Sequence, residues 1–240
     1  MIEHYHKWYS QFFNRDFEML VFGETGIPLI LFPSTRGRYY TPKDYGFIHS
    51  VQDLVNSNKL KIYCPDSIIN ETWLNYSISP EERVTNHLAY ENTILKDVIE
   101  FAKYETGYNN VILAGFEFGA YYSLNISFKY PELVEGFYSF CGIYDMKQFI
   151  MGYYDDDCYY NSPLDYIPNL KDPKYLNQIK EMPITIVTGN YDNHFDESTK
   201  ISQILNKKKI GHTYAYLEGL GKNWDKAREA FKFYISNYNF

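Results

Sequence analysis

The chain reads as an α/β protein: a mostly parallel central sheet with helices on both faces and an antiparallel hairpin at its N-terminus. Three observations predict this. Short apolar or aromatic runs alternate with helical patterns along the chain, the order that builds a parallel sheet. Some runs are apolar throughout, Val111-Ile112-Leu113-Ala114-Gly115 above all, as a strand covered on both faces must be. The two opening runs, 4–12 and 16–23, lie close together and read as strands joined through Asn14-Arg15-Asp16, a hairpin.

The remaining elements follow in order. Ile27-Pro28-Leu29-Ile30-Leu31-Phe32 is a buried strand ending at Pro33, and a helix over 44–57 presents Phe47, Val51, Leu54 and Val55 on one face. Leu60-Lys61-Ile62-Tyr63-Cys64 is the next strand. The longest helical pattern, 81–106, has Pro80 before it, Gly107 after it, and Leu88, Leu95, Val98 and Ala102 at helical spacing. Strand 111–115 leads into helix 118–129, which stops before Pro131. Strand 135–141, a loop-rich insert or lid over 143–180, strand 183–188, helix 196–208, strand 212–218 and helix 224–238 complete the series. The last helix aligns Trp224, Ala227, Phe231, Tyr234 and Tyr238. No repeat, low-complexity tract or linker divides the chain, so one domain over 1–240 is expected.

Composition narrows the function classes. Hydrophobic residues make up 45% and charged residues 22%, an ordinary globular balance. The 26 tyrosines are the unusual feature, and they suit half-buried strands and pocket walls. A net charge of −7 argues against a nucleic-acid partner. Three cysteines without metal-type spacing, Cys64, Cys141 and Cys158, read as reduced thiols. No signal peptide and no run near the ~18 apolar residues of a membrane span can be found, so a cytoplasmic protein without a membrane partner is expected. Neither a cofactor motif nor a metal motif stands out. His4 and His6 lack a third ligand, and Asp155-Asp156-Asp157 lacks the spacing of a calcium loop and reads as a solvated rim.

The chemistry concentrates at Gly115-Phe116-Glu117-Phe118-Gly119, between an apolar strand and an amphipathic helix. That is where a G-x-S-x-G nucleophile elbow occurs, its glycines allowing the sharp turn. The residue displayed at the tip is Glu117.

Around this motif the sequence resembles the bacterial esterase branch of the α/β-hydrolases nearly end to end. The matching blocks include FPSTRGRYY, PDSIINETW, NHLAYE, GFEFGAYYSLN, YPELVEGFYSFCGIYD, ITIVTGNYD and GLGKNW. The resemblance implies an α/β-hydrolase fold and a Ser-Asp-His triad. Carried over by position, the serine falls on Glu117, the acid on Asp192, and the histidine on Lys222 in Gly221-Lys222-Asn223-Trp224. It also implies oxyanion-hole N–H groups at Phe118 and at Ser34 or Thr35.

Two triad positions thus hold residues that cannot perform the triad's chemistry. Lysine is protonated near neutrality and cannot take a proton from a nucleophile, and a carboxylate attacking an ester gives an anhydride. His194, two residues beyond Asp192, is a candidate displaced base, set beside the plainer reading of a solvated loop histidine. His87 and His212 read as packing or surface residues. Two functions follow. One is a pseudoenzyme that keeps the scaffold for binding or assembly, with a small-molecule ligand in the degenerate pocket. The other is an enzyme of altered chemistry using Glu117 with Lys222 and Asp192. In either, Glu117 and Lys222 are expected to face each other as an ion pair, directly or through water, with Asp192 close by.

Overall fold

The computed structural model describes residues 1–238, so the last two residues of the expected 1–240 domain lie outside the described residues. Eight strands form one sheet in the order β1-β2-β4-β3-β5-β6-β7-β8. They are β1 (Glu3–Ser10), β2 (Arg15–Phe22), β3 (Ile27–Phe32), β4 (Leu60–Pro65), β5 (Val111–Phe116), β6 (Val134–Phe140), β7 (Ile184–Gly189) and β8 (Thr213–Leu217). β1 and β2 are antiparallel, β2 meets β4 antiparallel, and every later pairing is parallel. Arg15 and Asp16, expected in the hairpin turn, instead pair with Ser10 and Tyr9, leaving 11–14 as the turn.

Side-chain alternation explains why the inner strands are buried at nearly every position. Ile30, Phe32, Tyr63, Leu113, Phe137 and Ile186 enter one core. Their strand neighbours Leu29, Leu31, Ile62, Ile112, Phe140 and Val187 enter another on the opposite face. The first core is covered by the long helix from Pro80, helix Phe118–Lys129 and the insert. The second is covered by short helices after β3 and by helix Trp224–Ser236, whose Ala227, Ala230, Phe231 and Ile235 are buried.

Three expectations need correction. The helix expected over 44–57 is three short ones, Thr41–Asp44, Phe47–Ser50 and Gln52–Asn56, because Gly46 takes φ +76° and Val51 interrupts the ladder. The 81–106 helix is continuous, but Ile94–Ile99 widens to a π-helical turn that buries four apolar side chains. The loop-rich insert is largely helical: Asp156–Tyr160, Pro163–Asn169 and Pro173–Glu181, with Met146–Phe149 a 3₁₀ turn. Asp155, expected as a solvated rim, caps the first of these by accepting the Cys158 N–H at 2.8 Å.

The insert is tied down. The buried Arg83 guanidinium donates to the carbonyls of Asn75, Ile78 and Phe149. Asn161 Oδ1 takes donors from Asn125 and Lys129 and faces His87 Nε2 at 3.0 Å, while Lys129 also pairs with Glu91 at 2.7 Å. His87 is therefore a core residue, half of the reading given to it above. Among the described residues, no helix is long and apolar enough to cross a membrane.

Candidate functional site

β5 runs into helix Phe118–Lys129 with no intervening loop, so residue 117 must turn the chain by itself. Glu117 does so at φ +55° and ψ −113°, a conformation that strains any residue with a Cβ. Its N–H donates to the Phe140 carbonyl at 3.0 Å, and its carbonyl accepts from the Tyr121 N–H at 3.1 Å. The flanking glycines have no alternative. A Cβ on Gly115 would stand 2.3 Å from the Gly119 carbonyl carbon, and one on Gly119 would stand 2.6 Å from the Pro33 carbonyl oxygen.

The Glu117 side chain folds back toward the loop after β3. Its Oε2 accepts the Thr35 N–H at 3.0 Å. Of the two residues considered for the second oxyanion donor, Thr35 makes this contact. Ser34 is buried, and its carbonyl instead closes a turn with the Gly37 N–H. Phe118 opens the helix, so its N–H lacks an intrahelical acceptor. A carboxylate at the start of a helix also lies where the peptide dipoles favour negative charge.

Asp192 follows β7 and is buried, 7% exposed. Thr188 Oγ1 donates to its Oδ2 at 2.6 Å, and the His194 N–H donates to Oδ1 at 2.8 Å. The loop carrying Asp192 is laced to the loop after β8, because the Tyr191 N–H donates to Leu220 O and the Gly219 N–H to Asn190 Oδ1. Gly221 packs so closely that a Cβ there would lie 2.8 Å from the Asp192 nitrogen. Residue 222 is thereby fixed beside the acid.

The expected direct Glu117–Lys222 ion pair is not formed. Lys222 is exposed, its ammonium lies over the Tyr191 ring at 5.5 Å, and no carboxylate among the described residues stands within 4.0 Å of it. The cause is geometric: Tyr191 offers a ring face beside the Lys222 backbone, and an exposed ammonium keeps its water there. Glu117 and Lys222 do line one pocket of about 380 Å³, with Phe116, Cys141, Leu220 and Trp224. A larger basin of about 590 Å³, walled by Tyr130, Tyr159, Tyr160 and Tyr175, contains none of the elbow residues.

His194 is not the solvated loop residue of the plainer reading. It is half-buried, and its Nδ1 lies 2.9 Å from Glu197 Oε1. That hydrogen bond raises the imidazole pKa above its ordinary value against the opposing effect of burial, with Asp192 and Glu117 adding to the rise. Glu197 also accepts the backbone N–H groups of Tyr144 and Asp145, tethering the start of the insert. Despite burial, these bonds hold its carboxyl below the usual range. His212, half-buried, is bonded to Ser202 Oγ at 2.7 Å.

Sequence reasoning gave no site role to Thr188, Tyr191, Glu197 or Cys141. Two of them had a signal: Thr188 stands four residues before Asp192 on the strand end, and Glu197 three after His194 at helical spacing. Cys141 takes φ +51° after β6. Burial, with the carboxylates of Asp192 and Glu117, pushes its thiol well above the ordinary range, so it is held as a neutral thiol. Among the described residues, no three His, Cys, Asp or Glu side chains converge to hold a metal ion.

An eight-stranded sheet in this order, turning from β5 into a helix through a strained residue, defines the α/β-hydrolase fold, as the resemblance implied. Solved structures with this fold include a ferulic acid esterase at 14% identity and TM-score 0.78, covering 98% of this chain and 96% of that one. An S-formylglutathione hydrolase from Agrobacterium tumefaciens matches at 11% identity and TM-score 0.75, over 98% and 93% of the two chains. One from Staphylococcus aureus matches at 13% identity and TM-score 0.69, over 98% and 97%. At these identities the likeness is one of fold. No protein-family model and no curated protein sequence matches the chain.

Proposed function

We propose that the chain is a homologue of α/β-hydrolase esterases that has lost serine-hydrolase activity and uses the elbow pocket to bind a small molecule. The observation that carries this reading is the hydrogen bond from the Thr35 N–H to the Glu117 carboxylate. In a serine esterase that donor serves the oxygen of the substrate, which becomes negative as the tetrahedral intermediate forms. Here an internal anion engages it. The remaining chemistry agrees. The elbow carries no hydroxyl, Lys222 is an exposed ammonium over Tyr191, and the Cys141 thiol is neutral.

Hydrolysis of 4-nitrophenyl acetate tests the reading. Wild-type turnover should not exceed the ~10³–10⁴-fold over water that hydrolases retain without their triad. Glu117→Ser with Lys222→His should raise it, with Asp192 orienting the new histidine, while neither change alone suffices. Wild-type turnover near ~10 s⁻¹ that disappears in Glu117→Ala would overturn the proposal.

One observation favours the second reading, an enzyme of altered chemistry. His194 and Glu197 form an oriented imidazole–carboxylate pair whose titration responds to Glu117 and Asp192. On that reading Glu117 is the acid or base and His194 its relay, in place of Lys222. Glu117-dependent turnover that also falls in His194→Asn would select it.

A further inference from the structure

We infer that the elbow pocket takes a small organic cation, an ammonium group carried on an aromatic or aliphatic body. The inference rests on reading this pocket as a binding site and names the chemistry it would recognise.

The pocket supplies the argument. At about 380 Å³ it is of a size for a compact organic ligand. Phe116, Leu220 and Trp224 give it apolar walls, and Trp224 is held in place by stacking on Tyr45 at 4.5 Å between ring centroids. At one side lies Glu117, half-buried, with Oε2 engaged by Thr35. Among the described residues, its Oε1 accepts no hydrogen bond, and no ammonium, guanidinium or imidazole nitrogen stands within 4.0 Å of the carboxylate.

A second carboxylate reinforces the first. Cys141 lines the pocket, and the charges of both Asp192, behind the lining, and Glu117 help to hold its thiol above the ordinary range. The Asp192 oxygens are engaged by a hydroxyl and a backbone N–H, and no side-chain cation among the described residues lies within 4.0 Å of them. The one basic ring nearby, His194, is committed to Glu197. Lys222 also lines the pocket, but its ammonium lies over the Tyr191 ring and against neither carboxylate. The floor is therefore anionic, the walls are apolar and aromatic, and one oxygen is available to an N–H donor. A carboxylate ligand would meet repulsion at the floor. A neutral ligand would leave the charge unmatched. An ammonium satisfies Glu117 Oε1 and also gains from the Trp224 ring face. In a working Ser-His-Asp hydrolase, the place between elbow and acid holds an imidazole that turns cationic during turnover. A ligand ammonium would answer the same field.

The test uses three probes of one shape on the full-length chain: benzylamine, protonated near neutrality, benzyl alcohol and benzoate, with binding followed by calorimetry or ligand-observed NMR. Benzylamine should bind at least ~10-fold more tightly than benzyl alcohol, with benzoate the weakest of the three. Glu117→Gln keeps an acceptor for Thr35 and should bring benzylamine down to the level of the alcohol. Lys222→Met removes a like charge from the rim and should tighten benzylamine several-fold. Circular dichroism and thermal unfolding confirm that each variant is folded. Preference for benzoate, equal binding of amine and alcohol, a preference that survives Glu117→Gln, or no binding of any probe at about 10 mM would each overturn the inference. Failure of the amine preference leaves the loss of hydrolase activity standing. Glu117-dependent ester turnover removes that proposal whatever the probes do.

Discussion

Replacing Glu117 by glycine should leave the protein more stable than replacing it by alanine, the reverse of the usual order within a helix. Residue 117 is held at φ +55°, ψ −113° by two backbone hydrogen bonds that do not depend on its side chain. Strain at such a position costs ~1–3 kcal/mol for a residue with a Cβ, and glycine escapes it. Glycine also loosens the unfolded chain, which takes back ~0.4–1 kcal/mol. The difference between the variants should therefore be about 0.5–2 kcal/mol in favour of glycine. Both variants lose the Thr35 hydrogen bond. A bond to a charged acceptor contributes ~1.5–3 kcal/mol when fully buried, and about 1 kcal/mol is reasonable for a half-buried carboxylate. Alanine should then fall about 1–2 kcal/mol below wild type, while glycine stays close to it. Urea unfolding followed by tryptophan fluorescence measures both, provided the slope with denaturant is unchanged. An alanine variant equal to or more stable than the glycine variant would refute the reasoning, because the elbow would then store no strain.

Two other outcomes follow from the packing of the core and the elbow. Burial lowers the pKa of His87 to about 4, whereas an unfolded histidine titrates near 6.5, so the unfolded state binds more protons between those values. Stability should fall as pH drops from about 6.5 to about 4, on the order of 3 kcal/mol from this group. In His87→Gln the urea midpoint should lose much of that acid dependence, and an unchanged pH profile would remove His87 as its source. Gly115→Ala should be among the most damaging single changes, because its Cβ would fall 2.3 Å from backbone that is itself pinned against Pro33. A loss of several kcal/mol, at the extreme end for point changes, is expected in urea unfolding, and a loss under about 1 kcal/mol would mean that the elbow can open.

The sheet was legible because its signal is repetitive. Continuous apolar runs can bury both faces only in the interior of a covered sheet, and β3, β5 and β7 do so. Helix Phe118–Lys129 was legible for a different reason, since its start is fixed by the glycine pair and its end by Pro131. The insert was misread because its helices are short. None reaches the length at which periodicity is informative, and their signatures are the local ones of Asp155 and Asp172 as caps and Pro163 and Pro173 at first positions. The positions of Glu117, Asp192 and Lys222 could be placed by motif, but the direction of Lys222 could not. A long flexible side chain settles on whichever partner lies nearest, here Tyr191 on another loop, and that depends on loop packing no local pattern encodes. The same holds for the linked group of Glu91, Lys129 and Asn161, whose members are up to 70 residues apart, and for Arg83, whose buried guanidinium reaches the Phe149 carbonyl 66 residues on; each would read as a surface residue alone.

The elbow keeps its shape with glutamate at its tip, and the physical basis is how it is held. Gly115 and Gly119 bring β5, the helix and the Pro33 loop into backbone contact, and the Phe140 and Tyr121 bonds fix residue 117 between them. None of these contacts uses the side chain at 117, so the strained turn does not depend on which non-proline residue stands there. The Thr35 N–H does depend on it, because in a half-closed pocket that donor needs an acceptor, and an unmet buried donor costs ~1–3 kcal/mol. A serine at the tip leaves this donor to the substrate or to water. Glutamate is long enough to reach back and serve as the acceptor. On the function proposed above, the glutamate that stands in place of a nucleophile thus also satisfies the donor that a nucleophile's chemistry would use. On this account the elbow is stabilised in a form closed to acyl oxygens, and the second carboxylate oxygen is left for a donor that comes from outside the chain.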